Sequence, residues 1–250
     1  MLVDQRRDEI LEVVQSKGFA SLHDLSSGVE ASESTIRRDL EYLENLGQVR
    51  RTRGGAAYVG EALTGFDDRR SLAATEKQKI SRATADLIGR QETIILDGGT
   101  TTLEVAKHLA GKSLQVVTNS LPIVNHLVSV ADVELVFLGG YVYPKTGVTL
   151  GELTIEALKK VHARRLIMSV GGITERGLFN TNSLLAQTER QMIESVDEVI
   201  VVSDSSKFGH SEMAHLGPLN LVSKMVVDSG ITEEWRIRIQ DHGIELVIAE

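Results

Sequence analysis

The sequence predicts an α/β protein in which a small winged helix-turn-helix precedes a larger domain built on a mostly parallel sheet. Two patterns carry this prediction. Residues 1–58 contain three amphipathic helical segments followed by a short basic hairpin, the arrangement of winged DNA-binding domains. From residue 76 onward, short apolar, β-branched runs alternate with helical segments, which is typical of parallel strands covered by helices on both faces.

The third N-terminal helix is predicted to be the element that reads DNA, after a first helix over residues 4–17 and a short second one capped at Ser21. Ser32 is expected to cap the third helix, because its hydroxyl can accept hydrogen bonds from first-turn N–H groups. One apolar stripe follows at helical spacing, formed by Ile36, Leu40 and Leu43. Gly47 is expected to end the helix.

Cations cluster on this helix and on the hairpin behind it. Residues 1–58 contain eight Lys/Arg and ten Asp/Glu, yet five of the eight cations lie between Arg37 and Arg53. Local charge governs phosphate contact, so this stretch is predicted to face DNA although the chain has a net charge of −8. The expected DNA contacts are Ser32, Ser34, Thr35, Arg37 and Arg38 on the helix, and Arg50, Arg51 and Arg53 on the wing. With so few cations, the domain is expected to bind DNA only in pairs.

Residues 59–75 are predicted to be a linker, because they have no sustained apolar period and carry glycines among mixed charges. The domain at 76–250 is predicted to begin with a helix over Lys77–Gly89. Its expected strands are Thr93–Leu96, Leu114–Val117, Val133–Leu138, Arg165–Val170, Glu198–Val202, Ser223–Val227 and Ile244–Ile248. The helices expected between them are Leu103–Ala110, Ile123–Val130, Leu153–His162, Leu184–Val196 and Glu233–His242.

Polar residues and glycines follow the strands of this domain. In parallel sheets, ligands bind at the carboxyl ends of the strands. The glycines are expected to let the backbone approach a ligand, the threonines to supply hydroxyls, and the helix after Gly99 to supply N–H groups for a phosphate or carboxylate. The Gly-Gly-Thr sequence by itself could be only a capped turn between a strand and a helix. The prediction of a ligand site therefore depends on several polar and glycine positions meeting at one edge of the sheet. The expected ligand positions are Asp97, Gly98, Gly99, Thr100, Thr101, Thr102, Thr118, Asn119, Ser120, Gly139, Gly140, Gly151, Glu152 and Lys207.

Other kinds of site are disfavoured. The chain has no cysteine, which excludes disulfides and thiolate metal sites. Its seven histidines are dispersed, so no metal and no cofactor is expected. Asp97 and Asp204 both follow strands and are expected to cap turns or bind hydroxyls, and no catalytic residue is assigned. Five charges among the first ten residues exclude a signal peptide, and no apolar run has membrane length, so a cytoplasmic protein without a membrane partner is expected.

The segment Ser34–Leu40 (STIRRDL), followed by Arg51-x-Arg53-Gly-Gly-Ala, resembles the DeoR family of bacterial transcriptional regulators. The resemblance continues nearly to the end of the chain, through Asp97–Thr102, Thr118–Ser120, Leu138–Gly140 and Asp204–Gly209. It implies a C-terminal sensor domain similar in fold to ribose-5-phosphate isomerase, repression of a sugar-catabolic operon, and a phosphorylated sugar as the effector. One departure leaves the effector open: many relatives carry an acidic residue and a lysine in the helix that here reads Leu184–Arg190.

Three functions are compatible with the sequence. The preferred one is a ligand-controlled regulator, not an enzyme, that binds operator DNA as a homo-oligomer (dimer or tetramer). The second is an isomerase-like activity on sugar phosphates, with Asp97, Glu152 and Lys207 as reacting groups, although a metabolic enzyme has no use for a winged helix. The third is a constitutive DNA-binding protein whose larger domain only oligomerises it.

Overall fold

The computed structural model describes residues 3–17, 19–45, 49–52, 54–58 and 66–250. The chain separates into two units, Met1–Arg69 and Arg70–Glu250. Among the described residues, no helix is long and apolar enough to cross a membrane.

The first unit is a three-helix domain with a small antiparallel sheet in the order β1-β3-β2. Its apolar core is formed by one face of each helix, including Ile10, Leu25, Ile36 and Leu40. The three predicted helices and the hairpin are confirmed, whereas β1 was not predicted because three residues carry no periodicity. The elements are α1 (Val3–Lys17), β1 (Phe19–Ser21), α2 (Leu22–Gly28), α3 (Glu33–Asn45), β2 (Val49–Thr52) and β3 (Gly55–Tyr58). A further short helix, α4 (Phe66–Ser71), includes the residues at which the two units divide.

Part of the predicted linker is helical. Helix α4 lies inside residues 59–75, and the next helix, α5 (Ala74–Leu87), begins three residues before Lys77. Helix α4 and the first turn of α5 are too short to show an apolar period, which is why the sequence pattern did not indicate them. Residues 59–65, Gly47 and Arg53 lie outside the described residues.

The second unit is built on a seven-stranded sheet in the order β15-β14-β12-β9-β4-β5-β6, with every neighbouring pair parallel. All seven predicted strands are present within two residues at each end. They are β4 (Thr93–Leu96), β5 (Leu114–Thr118), β6 (Val133–Phe137), β9 (Ala163–Met168), β12 (Val196–Ser203), β14 (Lys224–Asp228) and β15 (Glu245–Ala249). The helices that connect these strands are α6 (Thr100–Ala106), α7 (Leu121–Leu127), α8 (Glu152–Leu158), α9 (Ser183–Glu194) and α10 (Glu233–Asp241).

Five short strands cover the carboxyl ends of the main sheet. They were not predicted, because strands of three or four residues pair through tertiary contacts rather than through a pattern of their own. A hairpin of β7 (Tyr141–Tyr143) and β8 (Val148–Leu150) packs Val148 and Leu150 against Leu185 of α9. A second antiparallel sheet joins β10 (Gly172–Thr174), β11 (Gly177–Asn180) and β13 (Ala214–Gly217). Together with α9, these strands enclose the end of β4.

Candidate functional site

The amino end of α3 presents hydroxyl groups on the surface of the first unit. The backbone N–H of Thr35 donates to Ser32 Oγ at 3.3 Å, so Ser32 caps the helix as predicted. Ser32 Oγ also lies 2.9 Å from Ser34 Oγ and 3.0 Å from Thr35 Oγ1. Ser32 and Ser34 are exposed and Thr35 is half-buried, so this edge can donate to or accept from a ligand.

The two arginines of α3 point to solvent while the apolar stripe faces the core. Arg37 and Arg38 are exposed, whereas Ile36 and Leu40 are buried. Arg37 lies 3.6 Å from Glu33, an exposed pair of little energetic value that a phosphate can displace. Arg38 has no ion-pair partner among the residues that the structure describes.

A buried ion pair fixes α3 against α1. Asp39 is 2% exposed and accepts from Arg6 Nε at 2.7 Å and from Arg7 Nε at 3.1 Å. Arg7 also stacks on the Tyr42 ring, 3.7 Å from its centroid. The two arginines of α1 therefore hold the helices together rather than adding to the basic surface, a role that the sequence did not indicate.

The wing is bound to the end of α3 through Arg51. Its Nε donates to Glu44 Oε2 at 2.6 Å, and its backbone N–H donates to Glu44 Oε1 at 2.8 Å. These bonds, the backbone one foremost, hold the pKa of Glu44 below its ordinary value. Arg51 was predicted to contact DNA, and it can do so only in competition with this carboxylate. The side chain of Arg50 and all of Arg53 lie outside the described part of the chain.

In the second unit, β4 ends at a tight turn that explains its two glycines. A Cβ on Gly98 would collide with Val148, and a Cβ on Gly99 would collide with the hydroxyl of Ser169. The protein itself fills the space that a side chain would occupy at these two positions. That the glycines let the backbone approach a ligand stays a prediction. Their backbone groups still border the end of β4.

Most of the predicted threonine and serine hydroxyls have structural partners. Thr118 Oγ1 donates to the Leu96 carbonyl at 2.6 Å, and Thr102 Oγ1 donates to the Gly99 carbonyl at 3.1 Å. Ser120 Oγ accepts from the first turn of α7. Thr100 and Thr101, at the start of α6, are buried. These side chains shape the turns around the site.

The remaining predicted positions lie at the margin of this site. The Gly139 carbonyl accepts from Thr154 Oγ1 at 2.9 Å, so it is already used, and Gly140 lies beside the same hydroxyl. Gly151 adopts a φ of +90°, which favours glycine, and turns the chain into α8. Glu152 is exposed at the first residue of α8.

Three side chains at the covered end of the sheet present buried oxygen atoms that accept no well-formed hydrogen bond. They are both oxygens of Asp97, Oδ1 of Asn119 and Oε2 of Glu189, and we refer to these three residues as the acceptor cluster. All three residues are at most 1% exposed. The other ends of two of them are engaged: Asn119 Nδ2 donates to the Thr149 carbonyl at 3.0 Å, and Glu189 Oε1 accepts from Asn180 at 2.6 Å.

The acceptor cluster carries two perturbed carboxyl groups. Burial raises the pKa of Asp97 to about 7, and the nearby N–H groups of Gly98 and Ser169 offset this only in part. Burial and then the charge of Asp97 raise the pKa of Glu189 well above its ordinary value. Unsatisfied buried polar atoms and perturbed pKa values together are characteristic of functional sites.

Glu189 was not among the predicted site residues, although one signal could have found it. Leu185, Glu189 and Met192 follow one another at i, i+4 and i+7, and all three are buried. A carboxylate on the apolar stripe of a helix must face either a partner or a binding site.

A second charged group lies at the end of β12. Asp204 is buried, which by itself raises its pKa, but the charges of Lys207 and Lys77 and hydrogen bonds from Ser206 outweigh burial and hold the pKa below its ordinary value. Lys77 is only 5% exposed, and its Nζ donates to the Leu72 carbonyl at 2.6 Å at the beginning of α5. The charge of Lys207 is therefore partly neutralised by the carboxylate of Asp204.

No group of three or more histidine, aspartate or glutamate side chains in the described chain is arranged to hold a metal ion. The ends of β4 and β5 offer acceptors at Asp97 and Asn119, with Glu189 on α9, and the end of β12 in the same sheet has the cations Lys77 and Lys207 acting on Asp204. Such an arrangement suits a small molecule with donor groups on one part and an anionic group on another.

Comparison with known proteins gives matches over both units. A family model described as DeoR-like helix-turn-helix domain matches residues 6–62, and one described as DeoR C terminal sensor domain matches residues 72–229. An uncharacterized HTH-type transcriptional regulator of Bacillus subtilis is 32% identical, over 92% of this chain and 91% of that protein. The glycerol-3-phosphate regulon repressor of Escherichia coli K12 is 31% identical over 97% of each. A ribose 5-phosphate isomerase from Methanocaldococcus jannaschii superimposes with a TM-score of 0.41 at 14% identity, over 54% of this chain and 55% of that one.

Proposed function

This chain belongs to the DeoR family of transcriptional regulators, and we propose that it is a repressor of a carbohydrate operon whose affinity for operator DNA is controlled by a phosphorylated sugar. The observation that carries the proposal is the exposed face of α3. Its capped amino end and its two arginines point away from the core, as a recognition helix requires for the major groove.

Ser32, Ser34, Thr35, Arg37 and Arg38 are the proposed contacts of this helix. Hydroxyls and guanidinium groups can bind phosphates or the edges of bases, and arginine pairs well with guanine. Arg50, Arg51 and Arg53 of the wing are proposed to contact the backbone or the minor groove. Because the unit offers few free cations, we propose that the protein binds operator DNA as a homo-oligomer.

The proposed effector site is the covered end of the parallel sheet in the second unit. The turn from Asp97 to Thr102, the stretch from Thr118 to Ser120 and the segment from Gly151 to Glu152 border it, with Gly139 and Gly140 at its margin. Lys207 is proposed to face the phosphate, because it is the cation at the end of β12. The effector then changes DNA affinity by binding one arrangement of the protein better than the other, with a coupling of about 1–3 kcal/mol in typical systems.

A pair of variants tests both halves of this proposal. A duplex selected from a random-sequence pool by the wild-type protein serves as the DNA probe. Arg38→Ala should weaken binding to that duplex by about ten- to a hundredfold, because one base or phosphate contact of each copy is lost. Lys207→Ala should keep the DNA affinity but lose the response to sugar phosphates. Arg82→Ala, an exposed arginine on α5, is the matched control.

Two outcomes would contradict the proposal. Normal DNA affinity in Arg38→Ala would mean that α3 is not the reading helix. Interconversion of sugar phosphates by the purified wild-type protein, lost in Lys207→Ala, would mean that the second unit is an enzyme rather than a sensor.

A further inference from the structure

The acceptor cluster has the chemistry to bind hydrogen-bond donors, which a phosphate group does not supply. Leu96 of β4 pairs with Thr118 of β5, so Asp97 and Asn119 follow at neighbouring positions on adjacent strands. Glu189 approaches from α9 and feels the charge of Asp97. Both oxygens of Asp97 and one oxygen each of Asn119 and Glu189 are buried and accept no well-formed hydrogen bond, although the N–H groups of Gly98 and Ser169 lie close enough to Asp97 to lower its pKa.

The cations and the amide named below already have partners other than the unbonded oxygens of the cluster. Arg190 follows Glu189 in α9, and the charge of Arg190 lowers the pKa of Glu189. The guanidinium of Arg190 is bonded elsewhere, because Nε donates to the Leu216 carbonyl at 2.8 Å and Nη2 donates to the His215 carbonyl. The amide of Asn180 donates to the other oxygen of Glu189. Lys77 and Lys207 act on Asp204. The cluster therefore has more acceptors than donors, and its two carboxyls ionise only at a cost unless a cation lies beside them.

We propose that the effector is a sugar phosphate that carries a protonated primary amine, and that its ammonium group binds between Asp97 and Glu189 beside Asn119. The inference rests on the proposed function, since it assumes that a sugar phosphate enters this site. An ammonium group supplies three donors and one positive charge from a single atom. Hydrogen-bond donors and a positive charge are what the oxygens of the acceptor cluster lack.

Two other occupants fit the cluster less well. A neutral sugar hydroxyl brings one donor and no charge, and it also needs a donor of its own. A divalent cation prefers six or more oxygen ligands, whereas the described residues form no group of three carboxylates or histidines around one point. A buried pair of carboxyls next to an amide oxygen is better matched by an ammonium group.

Three related probes separate these occupants, namely glucosamine 6-phosphate, glucose 6-phosphate and N-acetylglucosamine 6-phosphate. They differ only in an ammonium, a hydroxyl or a neutral amide at one carbon. The galactose and mannose counterparts are included because the orientation of the sugar is not assumed. Titration calorimetry on the full-length protein should give a dissociation constant for one amino sugar phosphate that is at least about tenfold lower than for its neutral counterparts.

The substitution Glu189→Gln tests the assignment of the ammonium site. It keeps the acceptor for Asn180 but removes the negative charge, so the preference for the amine should fall by about tenfold while circular dichroism stays unchanged. Glu194→Gln, an exposed position on the same helix, should retain the full preference. An unchanged preference in Glu189→Gln would overturn the assignment.

The outcomes also distinguish this inference from the proposed function. Equal or tighter binding of the neutral sugar phosphates, or stabilisation by Mg²⁺ alone, would overturn the amine while leaving a sugar-phosphate sensor. Binding of none of the phosphorylated sugars would remove the proposed effector class and the inference with it.

Discussion

At the scale of single residues, Asp97 is the most consequential group in the chain. Its position after β4 was predicted from the sequence as a ligand position, but its burial and its pKa of about 7 come from the hairpin and helix that cover it. Burial makes ionisation of this carboxyl unfavourable, and a cationic ligand beside it would make the ionised form favourable again. The same property makes the stability of the protein depend on pH.

Asp97→Asn should change the pH dependence of stability. The raised pKa means that the folded protein holds a proton which the unfolded chain releases, so the contribution of Asp97 to the free energy of unfolding falls as pH rises from about 4 to about 7 and is level above that. The shift corresponds to about 4 kcal/mol. Urea unfolding between pH 4.5 and 8 should therefore show a steeper decline for the wild type than for Asp97→Asn. Curves that stay parallel would show that Asp97 does not titrate in this range. Asp132→Asn, at an exposed position, should leave the wild-type slope unchanged.

At the scale of elements, α3 is a helix whose surface charges are partly neutralised within its own unit. Arg37 pairs with Glu33, and Arg51 of the wing pairs with Glu44 at the other end of the helix. The sequence predicted the stripe, the cap and the hairpin because these depend on local spacing. It did not predict the pairing of the wing with Glu44, because that contact forms only when β2 folds back along α3.

Glu44→Gln should raise the affinity for the selected duplex. The substitution releases Arg51 and removes a negative charge from the face that approaches phosphates, so a gain of about two- to tenfold at low salt is expected, decreasing as salt is added. Fluorescence anisotropy across a salt series measures both effects. Glu12→Gln on α1 makes the same change of net charge at an exposed position and should have a smaller effect. An equal gain in both variants would assign the effect to net charge rather than to Arg51.

At the scale of the whole molecule, the chain consists of two units with separate cores. The first holds the proposed DNA surface and the second the proposed effector site. Residues 59–75 were predicted to be a plain linker, whereas α4 and the start of α5 lie within them. Lys77, near the start of α5, interacts electrostatically with Asp204 at the end of β12, so the beginning of the second unit is coupled by charge to the strand ends.

Asp39→Asn should destabilise one unit and spare the other. The substitution keeps the shape of the side chain but removes the charge that Arg6 and Arg7 share, at a cost of about 2 kcal/mol in the first unit. Differential scanning calorimetry should show the transition stabilised by DNA moving to lower temperature, while the transition stabilised by sugar phosphate stays in place. A common shift of both would mean that the units unfold together.

The elements that could be predicted are those with a local signal: the capped helix α3, the basic hairpin, and the seven apolar strands that alternate with helices. The sequence also located the strand ends, because a strand and the polar turn after it are contiguous in the chain. Contacts between elements distant in the chain determine which of those polar groups form hydrogen bonds within the fold and which keep an unbonded oxygen. Thr118 and Thr102 bond to backbone carbonyls, whereas Asp97 keeps unbonded oxygens and interacts electrostatically with Glu189, which lies some ninety residues further along the chain. Hydrogen-bond satisfaction depends on three-dimensional neighbours, and sequence spacing does not encode those.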